Sequence, residues 1–337
     1  MHFYAYIVKR LLLMLGTISG VLVITFVISH LIPADPISAV LGPQAPPELI
    51  ESVRHEWGFD RPIPEQFAIY VWNILHGNLG KSLRTNRGVA DDLRQFFPAT
   101  LELATAAIII GIFLGIPLGI LSAVHRDRLT DHVARLFSLF GLSMPVFWLG
   151  LVLLFLFYYR LGILPGPGQL DVYLIPPPRV TGVLTIDSLL AGDTEVFVDA
   201  LRHLILPAFV LGYFSTASIV RITRASMLEV LRQEYIKTAR VKGLRERVVI
   251  LRHALKNALI PTVTVVGLTY GSLLEGAVLT ETIFAWPGLG RYMTSAFIAL
   301  DFAAIMGGTL LIALTYSLAN LLVDITYAFL NPKIRYG

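Results

Sequence analysis

The stretch QEYIKTARVKGLRERVVILRHALKNALIP, which runs from Gln233 to Pro261, interrupts a chain that is otherwise strongly apolar. Ten Lys or Arg residues and only three acidic residues lie between Arg221 and Lys256. In contrast, 55% of all 337 residues are hydrophobic and only 15% are charged. Soluble proteins have about 45–50% apolar and about 25% charged residues. We therefore expect lipid to be the solvent for much of this chain.

Five apolar runs are long enough to cross a membrane as a helix, which takes about 20 mainly apolar residues. A sixth run, Leu204–Val220, is shorter and contains Ser215, Thr216 and Ser218. The first run is too long for the apolar part of a signal peptide, so we expect it to remain as an anchor. The five longer runs are Leu11–Ile32, Leu103–Val124, Leu136–Tyr159, Ala258–Leu279 and Phe302–Val323.

Basic residues indicate the orientation, because loops that stay in the cytoplasm carry an excess of Lys and Arg. Four basic groups fall on one side of the membrane only if Leu204–Val220 also crosses it. The sequence therefore predicts six spans with both chain termini in the cytoplasm. The four groups are Lys9 and Arg10; His125, Arg126, Arg128 and Arg135; residues 221–256; and Lys333 and Arg335.

The segments on the opposite side carry less positive charge. Residues 33–98 contain eight acidic residues against six Lys or Arg, and residues 161–200 contain five acidic residues against one Arg. The first segment is expected to form two short helices, each with a proline near its start and a glycine just past its end. These pairs are Pro47 with Gly58 and Pro64 with Gly77.

The apolar residues of the basic stretch recur every three or four positions, as on one face of a helix. We expect two amphipathic helices hinged at Gly243. These helices could anchor on anionic lipid, bind nucleic acid or dock on a partner. The lack of interleaved aromatic residues disfavours nucleic acid. The glycine-broken pair of helices favours docking. The apolar positions are Leu228, Leu231, Tyr235 and Ala239 before the glycine and Leu244, Val248, Leu251, Leu255 and Leu259 after it.

Several long motifs, taken in order, resemble one known family over nearly the whole chain. EYIKTARVKGL followed by RHALKNALIP is similar to the cytoplasmic loop of binding-protein-dependent ABC permeases, in the dipeptide, oligopeptide and nickel subfamily. The wider family has Glu-Ala-Ala, followed by a glycine, where this chain has Lys237-Thr238-Ala239 and Gly243. Of that wider motif, this chain retains only Ala239 and Gly243. Further matching motifs are GFDRPIPEQFAIYVWNILHGNLGKSL, FFPATLELA, SMPVFWLGLVL, LTETIFAWPGLGRY and NLLVDITYAFLNPKIR.

The resemblance implies an all-α polytopic permease subunit with six transmembrane helices, the type I ABC importer fold and a place in a bacterial inner membrane. It also implies a second homologous permease, two ATPase subunits that bind ATP and magnesium, and an outer solute-binding protein. The chain itself is then non-catalytic, holds no cofactor and contacts lipid but not nucleic acid. The expected divisions are residues 1–32 (tail and first span), 33–98 (outer helical domain), 99–330 (permease core) and 331–337 (cytoplasmic tail).

The resemblance further implies that the loop at residues 221–260 forms a coupling helix in a cleft of the ATPase. Ala239 and Gly243 are four residues apart, so we expect them to share a face that the partner approaches closely. The residues expected at this contact are Glu234, Tyr235, Ala239, Arg240, Lys242, Gly243, Leu244, Arg252 and His253.

Carboxylates within the predicted spans are candidates for function, because an isolated charge in lipid is costly. Glu275 is expected either to line the translocation path with Tyr270 and Ser272, where it could meet a peptide amino terminus, or to be paired or protonated. Asp324 is expected to be satisfied by Asn320 or by a nearby basic residue.

Two glycine-containing patterns accompany these residues. Trp286, Pro287, Gly288 and Gly290 are expected to form a tight turn at the outer mouth, with the tryptophan as an interfacial anchor. The GxxxGxxxG pattern at residues 111–119 is expected to pack helices closely, either within the chain or against the second permease.

A short peptide is the expected substrate, with a nickel complex, glutathione or an oligosaccharide as alternatives. An ion-coupled secondary transporter is the alternative from another class, and it would be expected to show discontinuous spans and more ionisable groups in the membrane. An enzyme is disfavoured, because no constellation of nucleophile, base or metal ligands is evident. Gly80-Lys81-Ser82 lacks the leading glycine of a phosphate-binding loop, so this chain is not expected to hydrolyse ATP.

Overall fold

The computed structural model describes residues 3–31, 46–56, 60–275 and 277–330. The regular structure of these residues is helical, apart from one antiparallel bridge between Lys81 and Gly88. The all-α prediction is confirmed. The helices are α1 (Phe3–Leu31), α2 (Pro47–Glu56), α3 (Ile63–Leu75), α4 (Val89–Val124), α5 (Leu129–Ser143), α6 (Val146–Leu153, continued by a π-helix, Leu154–Arg160), α7 (Leu184–Leu190), α8 (Thr194–Leu231), α9 (Glu234–Val241), α10 (Glu246–Val248, continued by a π-helical turn, Val249–Ala254), α11 (Leu255–Leu274), α12 (Val278–Ile283), α13 (Leu289–Ile298) and α14 (Phe302–Leu330).

Five helical segments of the described chain are long and apolar enough to cross a membrane: parts of α1, α4, α8, α10–α11 and α14. The pair α5 and α6 makes a sixth, but the two helices are bent by 102°. The predicted third span, Leu136–Tyr159, is therefore not one continuous helix. Pro145 explains the break, because proline lacks an N–H and disfavours helical conformation in the residue before it. Met144 accordingly has ψ 132°.

Helix α8 contains the weakest predicted span, Leu204–Val220, and is much longer than that run. Two of the three polar residues that weakened this prediction face the protein interior, and the third, Ser218, is half-buried. Ser215 and Thr216 are fully buried, and their hydroxyls donate to the carbonyls of Leu211 (3.0 Å) and Gly212 (2.6 Å). Low hydropathy in this span therefore reflects a position at the centre of the bundle, where little of the helix surface meets lipid.

The glycines at 111–119 pack α4 against α8 within the same chain. A Cβ on Gly115 would lie 2.7 Å from Ile219 Cγ2, and one on Gly119 would lie 2.6 Å from Thr223 Cβ. Real Cβ atoms do not approach so closely, so the small residues set the distance between these two helices. The packing interpretation of GxxxGxxxG is confirmed, and the contact lies inside one subunit.

Two buried carboxylates mark the opposite ends of the bundle. Asp131 on α5 accepts hydrogen bonds from Ser122 Oγ (2.6 Å) on α4 and from Arg224 Nε (2.7 Å) and Nη2 (2.8 Å) on α8. We call this the Asp131 end. Glu281 on α12 is the buried carboxylate at the opposite end of the bundle. We call this the Glu281 end.

The predicted small domain contains the two expected helices, α2 and α3. Gly77 follows α3 with φ 77°, as expected for a glycine past a helix end, whereas Gly58 lies outside the described residues. The division expected at residue 98 falls inside α4, which begins at Val89 and contains Pro98. The tail at residues 331–337, with Lys333 and Arg335, lies outside the described residues.

Helices α1 and α14 are joined by an ion pair near the chain termini. Arg10 Nη1 lies 2.8 Å from Asp324 Oδ2, and the carboxylate is the more buried partner. The prediction that a nearby basic residue satisfies Asp324 is confirmed.

Candidate functional site

The basic loop, residues 232–256, contains the short helices α9 and α10, and α10 is continued by the π-helical turn. Helix α8 ends at Leu231 and α9 begins at Glu234, so the positions from Leu228 to Ala239 do not lie on one continuous helix as expected. Gly243 follows α9 with φ 76°. Its N–H donates to Arg240 O (2.9 Å) and the N–H of Leu244 to Ala239 O (3.4 Å), the pattern of a glycine-terminated helix. Backbone conformation therefore explains Gly243, because a Cβ there would meet no atom within 4 Å.

Ala239 does not face outward as expected. It is 7% exposed and packs with Ile236, Met227, Val249 and Ala254 in an apolar cluster at the Asp131 end. The prediction that Ala239 and Gly243 share one face was wrong, because α9 ends at Val241 and the four-residue relation holds only within a helix. Ala239 anchors the loop to its own subunit.

The second predicted apolar stripe is shifted in register. The π-helical turn Val249–Ala254 accommodates one more residue per turn than an α-helix does, so the inward face rotates. Val249, Ala254 and Ala258 are buried, at intervals of five and four residues. Leu251, which was expected on the apolar face, is 49% exposed. The predicted stripe from Leu244 to Leu259 was therefore wrong in register.

Some of the charged side chains in the basic loop form ion pairs with one another. Arg240 donates to both Glu246 carboxylate oxygens, Nη2 to Oε1 at 2.7 Å and Nε to Oε2 at 3.1 Å, across the turn at Gly243. This hydrogen bond raises the pKa of Arg240. Glu234 pairs with Lys237 at 2.7 Å. Of the other residues assigned to the loop contact, Lys242, Leu244 and Arg252 are exposed and His253 is half-buried.

The outward face of α9 contains a residue that the sequence reasoning missed. Val241 is 88% exposed, although it is apolar. It lies on the face of α9 opposite Ile236 and Ala239, which are buried. The signal in the sequence is a lone β-branched residue between Arg240 and Lys242, out of phase with the apolar stripe.

Tyr235 connects the basic loop to α11. Its hydroxyl accepts a hydrogen bond from Asn257 Nδ2 at 2.6 Å. Asn257 belongs to an exposed face of α11 that extends along the helix at helical spacing. The exposed residues of this face are Asn257, Pro261, Leu268, Ser272 and Glu275.

Glu275 lies at the far end of this face. Helix α11 ends at Leu274, so Glu275 follows the helix as its C-terminal cap and is exposed. The helical span therefore ends one residue before Glu275 and does not continue to Leu279 as expected. No ion pair involves it in the described part of the chain, which leaves the pairing with an arginine unsupported. Ser272 is exposed beside it, whereas Tyr270 OH is 2.9 Å from Thr105 Oγ1 of α4.

The Glu281 end is built around a fully buried carboxylate that the sequence reasoning did not single out. Glu281 accepts hydrogen bonds from Thr100 Oγ1 (2.7 Å) and from the backbone N–H of Arg291 (2.9 Å). A Cβ on Gly288 would lie 2.4 Å from the Glu281 carboxyl carbon, so only glycine fits there. Burial raises the pKa of Glu281 in spite of these hydrogen bonds. The sequence signal was an acid followed by a glycine-rich turn seven residues later.

Trp286 is buried at this end and is not an interfacial anchor. It is 1% exposed, and its Nε1 donates to Ala99 O at 2.8 Å. Leu289 N donates to Thr100 Oγ1 at 2.7 Å, which ties the start of α13 to α4. Gly288 and Gly290 are buried against Glu281, and Pro287 is half-buried. The predicted tight turn exists, but it is part of the packed interior.

Comparisons with known proteins cover almost the whole chain. Residues 115–336 match the family described as binding-protein-dependent transport system inner membrane component, and residues 3–104 match its N-terminal counterpart. The chain is 48% identical over 337 residues to the probable D,D-dipeptide transport system permease protein of Escherichia coli K12, covering 100% of this chain and 99% of the relative. It is 45% identical over 333 residues to the di/tripeptide transport system permease protein of Pseudomonas aeruginosa UCBPP-PA14, covering 98% and 99%.

A third relative is named for a different substrate. The glutathione transport system permease protein of Escherichia coli O6:H1 is 37% identical over 331 residues, covering 98% of this chain and 99% of the relative. Family matches and full-length identity agree with the membrane-spanning helices described above. The chain therefore belongs to the family of inner membrane components of binding-protein-dependent ABC transport systems, and it is a permease.

Proposed function

We propose that this permease forms the translocation path of an ATP-driven importer for short peptides. The relatives with 48% and 45% identity are named for dipeptides and for di- and tripeptides. The relative named for glutathione, itself a modified tripeptide, is less similar at 37%. A peptide is therefore the best-supported substrate, ahead of a nickel complex or an oligosaccharide.

The Asp131 end is assigned to the cytoplasm, so that both chain termini lie there. The exposed cations of the basic loop support this orientation, together with Arg126, Arg128 and Arg135 at the start of α5. Retention of Lys and Arg on the cytoplasmic side is the rule for short loops. The Glu281 end then faces the outer compartment, where a solute-binding protein delivers the peptide.

Helix α9 is the proposed contact with an ATPase subunit. The observation that carries this proposal is the division of α9 into two faces. Ile236 and Ala239 fix it to the apolar cluster at the Asp131 end, while Val241 stands exposed on the other side. An exposed apolar side chain on a firmly anchored helix is suited to insertion into a groove of a partner. A shift of α9 would then reach α8 through Met227, and it would reach α11 through Val249 and Ala254 of the π-helical turn that precedes α11.

The exposed face of α11 is the proposed lining of the path. A lipid-facing helix surface is normally apolar, whereas this face contains Asn257, Ser272 and Glu275. Polar groups on a membrane-spanning helix or at its ends are expected to face water or a partner. A second homologous permease completes the path in this arrangement, and two ATPase subunits supply ATP hydrolysis. The chain described here contributes no catalytic group.

The coupling role is tested with Val241→Asp, which places a charge at the centre of the proposed contact. We expect co-purification of the ATPase subunits to fall by about tenfold or more, because an unpaired charge must lose its water in a packed interface. Val172→Asp is the matched control, since Val172 is 90% exposed in the loop before α7 and outside the basic loop. Equal ATPase recovery with both variants would overturn the assignment of α9.

The path role of Glu275 is tested with Glu275→Gln in the assembled transporter. We expect peptide uptake to fall while assembly and basal ATP hydrolysis stay near the unaltered values, because the residue is exposed and caps a helix without an ion partner in the described part of the chain. Ser272→Ala is a milder change on the same face. Loss of assembly with Glu275→Gln would mean that the carboxylate has a structural role.

The break between α5 and α6 is a feature that was expected of an ion-coupled transporter. Uptake into proteoliposomes distinguishes the two classes. Transport by the reconstituted complex should require ATP and the binding protein and should persist when ion gradients are collapsed by ionophores. Uptake driven by an ion gradient without ATP would contradict the proposal.

A further inference from the structure

A cavity of about 340 Å³ opens at the Glu281 end beside α13. Its walls come from four places in the chain: the turn that contains Arg84, helix α4 through Phe96, the segment from Pro287 to Ala296, which includes Arg291, and Asp301 at the base. The rings of Phe96 and Tyr292 stack with centroids 4.9 Å apart and form an aromatic side of the cavity. None of the residues discussed above for coupling or for the path lines it.

The acidic group beneath the cavity is already satisfied. Asp301 is fully buried and accepts hydrogen bonds from Ser82 Oγ (2.6 Å), Arg84 N (3.3 Å) and Ala304 N (3.2 Å). The GKS sequence, which ends at Ser82, therefore has a structural role in holding the Arg84 turn against the start of α14. Because Asp301 is enclosed, it offers no accessible acceptor to an ammonium group that enters the cavity.

The accessible charges of the cavity are two guanidinium groups. Arg84 and Arg291 are exposed, and within the described residues neither forms an ion pair. Arg291 has one side-chain hydrogen bond, from Nη1 to Ala285 O at 3.0 Å, so other donors remain available. Guanidinium groups bind carboxylates with short, charge-assisted hydrogen bonds. The cavity is therefore complementary to a carboxylate on an apolar stem.

We propose that this cavity receives an acidic side chain of the solute-binding protein when that protein docks at the Glu281 end. The inference rests on the proposed function, which places this end on the outer side. A free peptide is a poorer occupant, because its ammonium group would find no accessible acid beside the two arginines. An aspartate or glutamate projecting from a protein surface presents only the carboxylate and fits the available chemistry.

The arginines are also suited to guiding the encounter. Two exposed cations at the rim of an interface attract an acidic partner, and such attraction weakens as salt increases. The stacked Phe96 and Tyr292 rings give the incoming side chain a rigid surface. Docking at this site would hold the binding protein against α13, whose start is fixed to α4 through Thr100 and Leu289.

The test uses the complete transporter in nanodiscs and its own binding protein loaded with dialanine. Association is measured by surface plasmon resonance at several salt concentrations. Arg84→Gln combined with Arg291→Gln should weaken association by about tenfold or more at low salt and reduce its salt dependence. Arg61→Gln combined with Arg94→Gln is the matched control, since both residues are exposed and outside the cavity. It should have little effect.

A second variant blocks the cavity while keeping both arginines. Ser295→Asp places a carboxylate on the cavity wall, where it can pair with the guanidinium groups in place of the partner. We expect it to weaken docking, whereas Ser295→Asn, with similar size and no charge, should bind nearly as well as the unaltered protein. Basal ATP hydrolysis and size-exclusion profiles show whether each variant is assembled.

The outcomes separate the cavity from the proposed function. If the unaltered transporter binds the loaded binding protein and both cavity variants bind equally well, the cavity inference is wrong and the importer proposal stands. If the unaltered transporter shows no association with the binding protein, the proposed function itself fails. If free dialanine binds the transporter without binding protein and Arg84→Gln with Arg291→Gln abolishes this binding, the occupant is the peptide and our assignment is wrong.

Discussion

The segment Val278–Ile298 and the basic loop at residues 232–256 connect membrane helices at opposite ends of the bundle, yet they use charge in opposite ways. In the first segment the key carboxylate, Glu281, is fully buried and enclosed by backbone N–H groups, a threonine and two glycines. In the basic loop the ion pairs lie at the surface, and burial is left to small apolar residues such as Ala239 and Ala254. Val278–Ile298 is therefore part of the packed scaffold, whereas the basic loop presents its charged side chains at the surface.

This difference explains where each segment tolerates change. A buried carboxylate depends on every donor around it, because an unsatisfied charge in the interior is costly. Removal of one member of an exposed ion pair costs little stability, because water replaces the lost contact. Substitutions of the residues that enclose the Glu281 carboxylate should therefore destabilise the subunit, whereas most substitutions on the outward face of α9 should alter only its contacts with a partner.

The largest expected effect is that of Ala239→Asp. The new carboxylate would be buried in the apolar cluster with Ile236 and Val249 without a partner, at a cost of about 3–5 kcal/mol. We expect the subunit itself to be destabilised, as measured by thermal unfolding in detergent. Thr238→Asp, at the exposed neighbouring position, is the control and should leave stability nearly unchanged. Normal stability of Ala239→Asp would show that this residue faces outward after all.

Gly288→Ala should have the next largest effect. The added Cβ would overlap the Glu281 carboxyl group, and displacement of that group costs about 3 kcal/mol through strain and weakened hydrogen bonds. Yield of folded subunit and melting temperature are the measurements. Gly20→Ala in α1 is the matched control, because a Cβ there meets no atom within 4 Å. Equal stability of the two variants would contradict the close packing around Glu281.

Gly243→Ala tests whether this glycine is kept for its backbone conformation. The residue has φ 76°, where an alanine costs about 1–2 kcal/mol, while the space around it is open. We expect a modest loss of stability and a smaller loss for Gly243→Asn, since asparagine tolerates this conformation better. If alanine abolished ATPase binding without any loss of stability, close contact with a partner would be the better explanation.

Glu234→Gln should have the smallest effect on stability. The Glu234–Lys237 pair is exposed, so its loss is worth about 0.5 kcal/mol or less. Thermal unfolding should be nearly unchanged. Any large decrease in transport by this variant would then come from a partner contact of α9, and a large decrease in melting temperature would show that the basic loop is more interior than its exposure indicates.

Much of the architecture could be read from the sequence. Apolar runs located five membrane helices, whereas the run Leu136–Tyr159 is divided between the bent pair α5 and α6. Gly111–Gly119 indicated close helix packing, and the basic residues together with the resemblance motifs identified a permease loop. These signals are local, because hydropathy and charge act within one helix or one loop. The expected helices of the small domain, with Pro47 and Pro64 near their starts, were correct for the same reason.

The site residues depended on contacts between distant parts of the chain. Trp286 is buried because its indole reaches Ala99, 187 residues earlier, and Glu281 is enclosed through Thr100, 181 residues earlier. Ala239 points inward because α9 ends two residues later and packs on a π-helical turn that shifts the register of the next helix. The sequence by itself determined which segments enter lipid and which carry charge, since these depend on residue type. Tertiary structure alone decided which side of each segment is buried, because burial depends on the neighbours that the rest of the fold supplies.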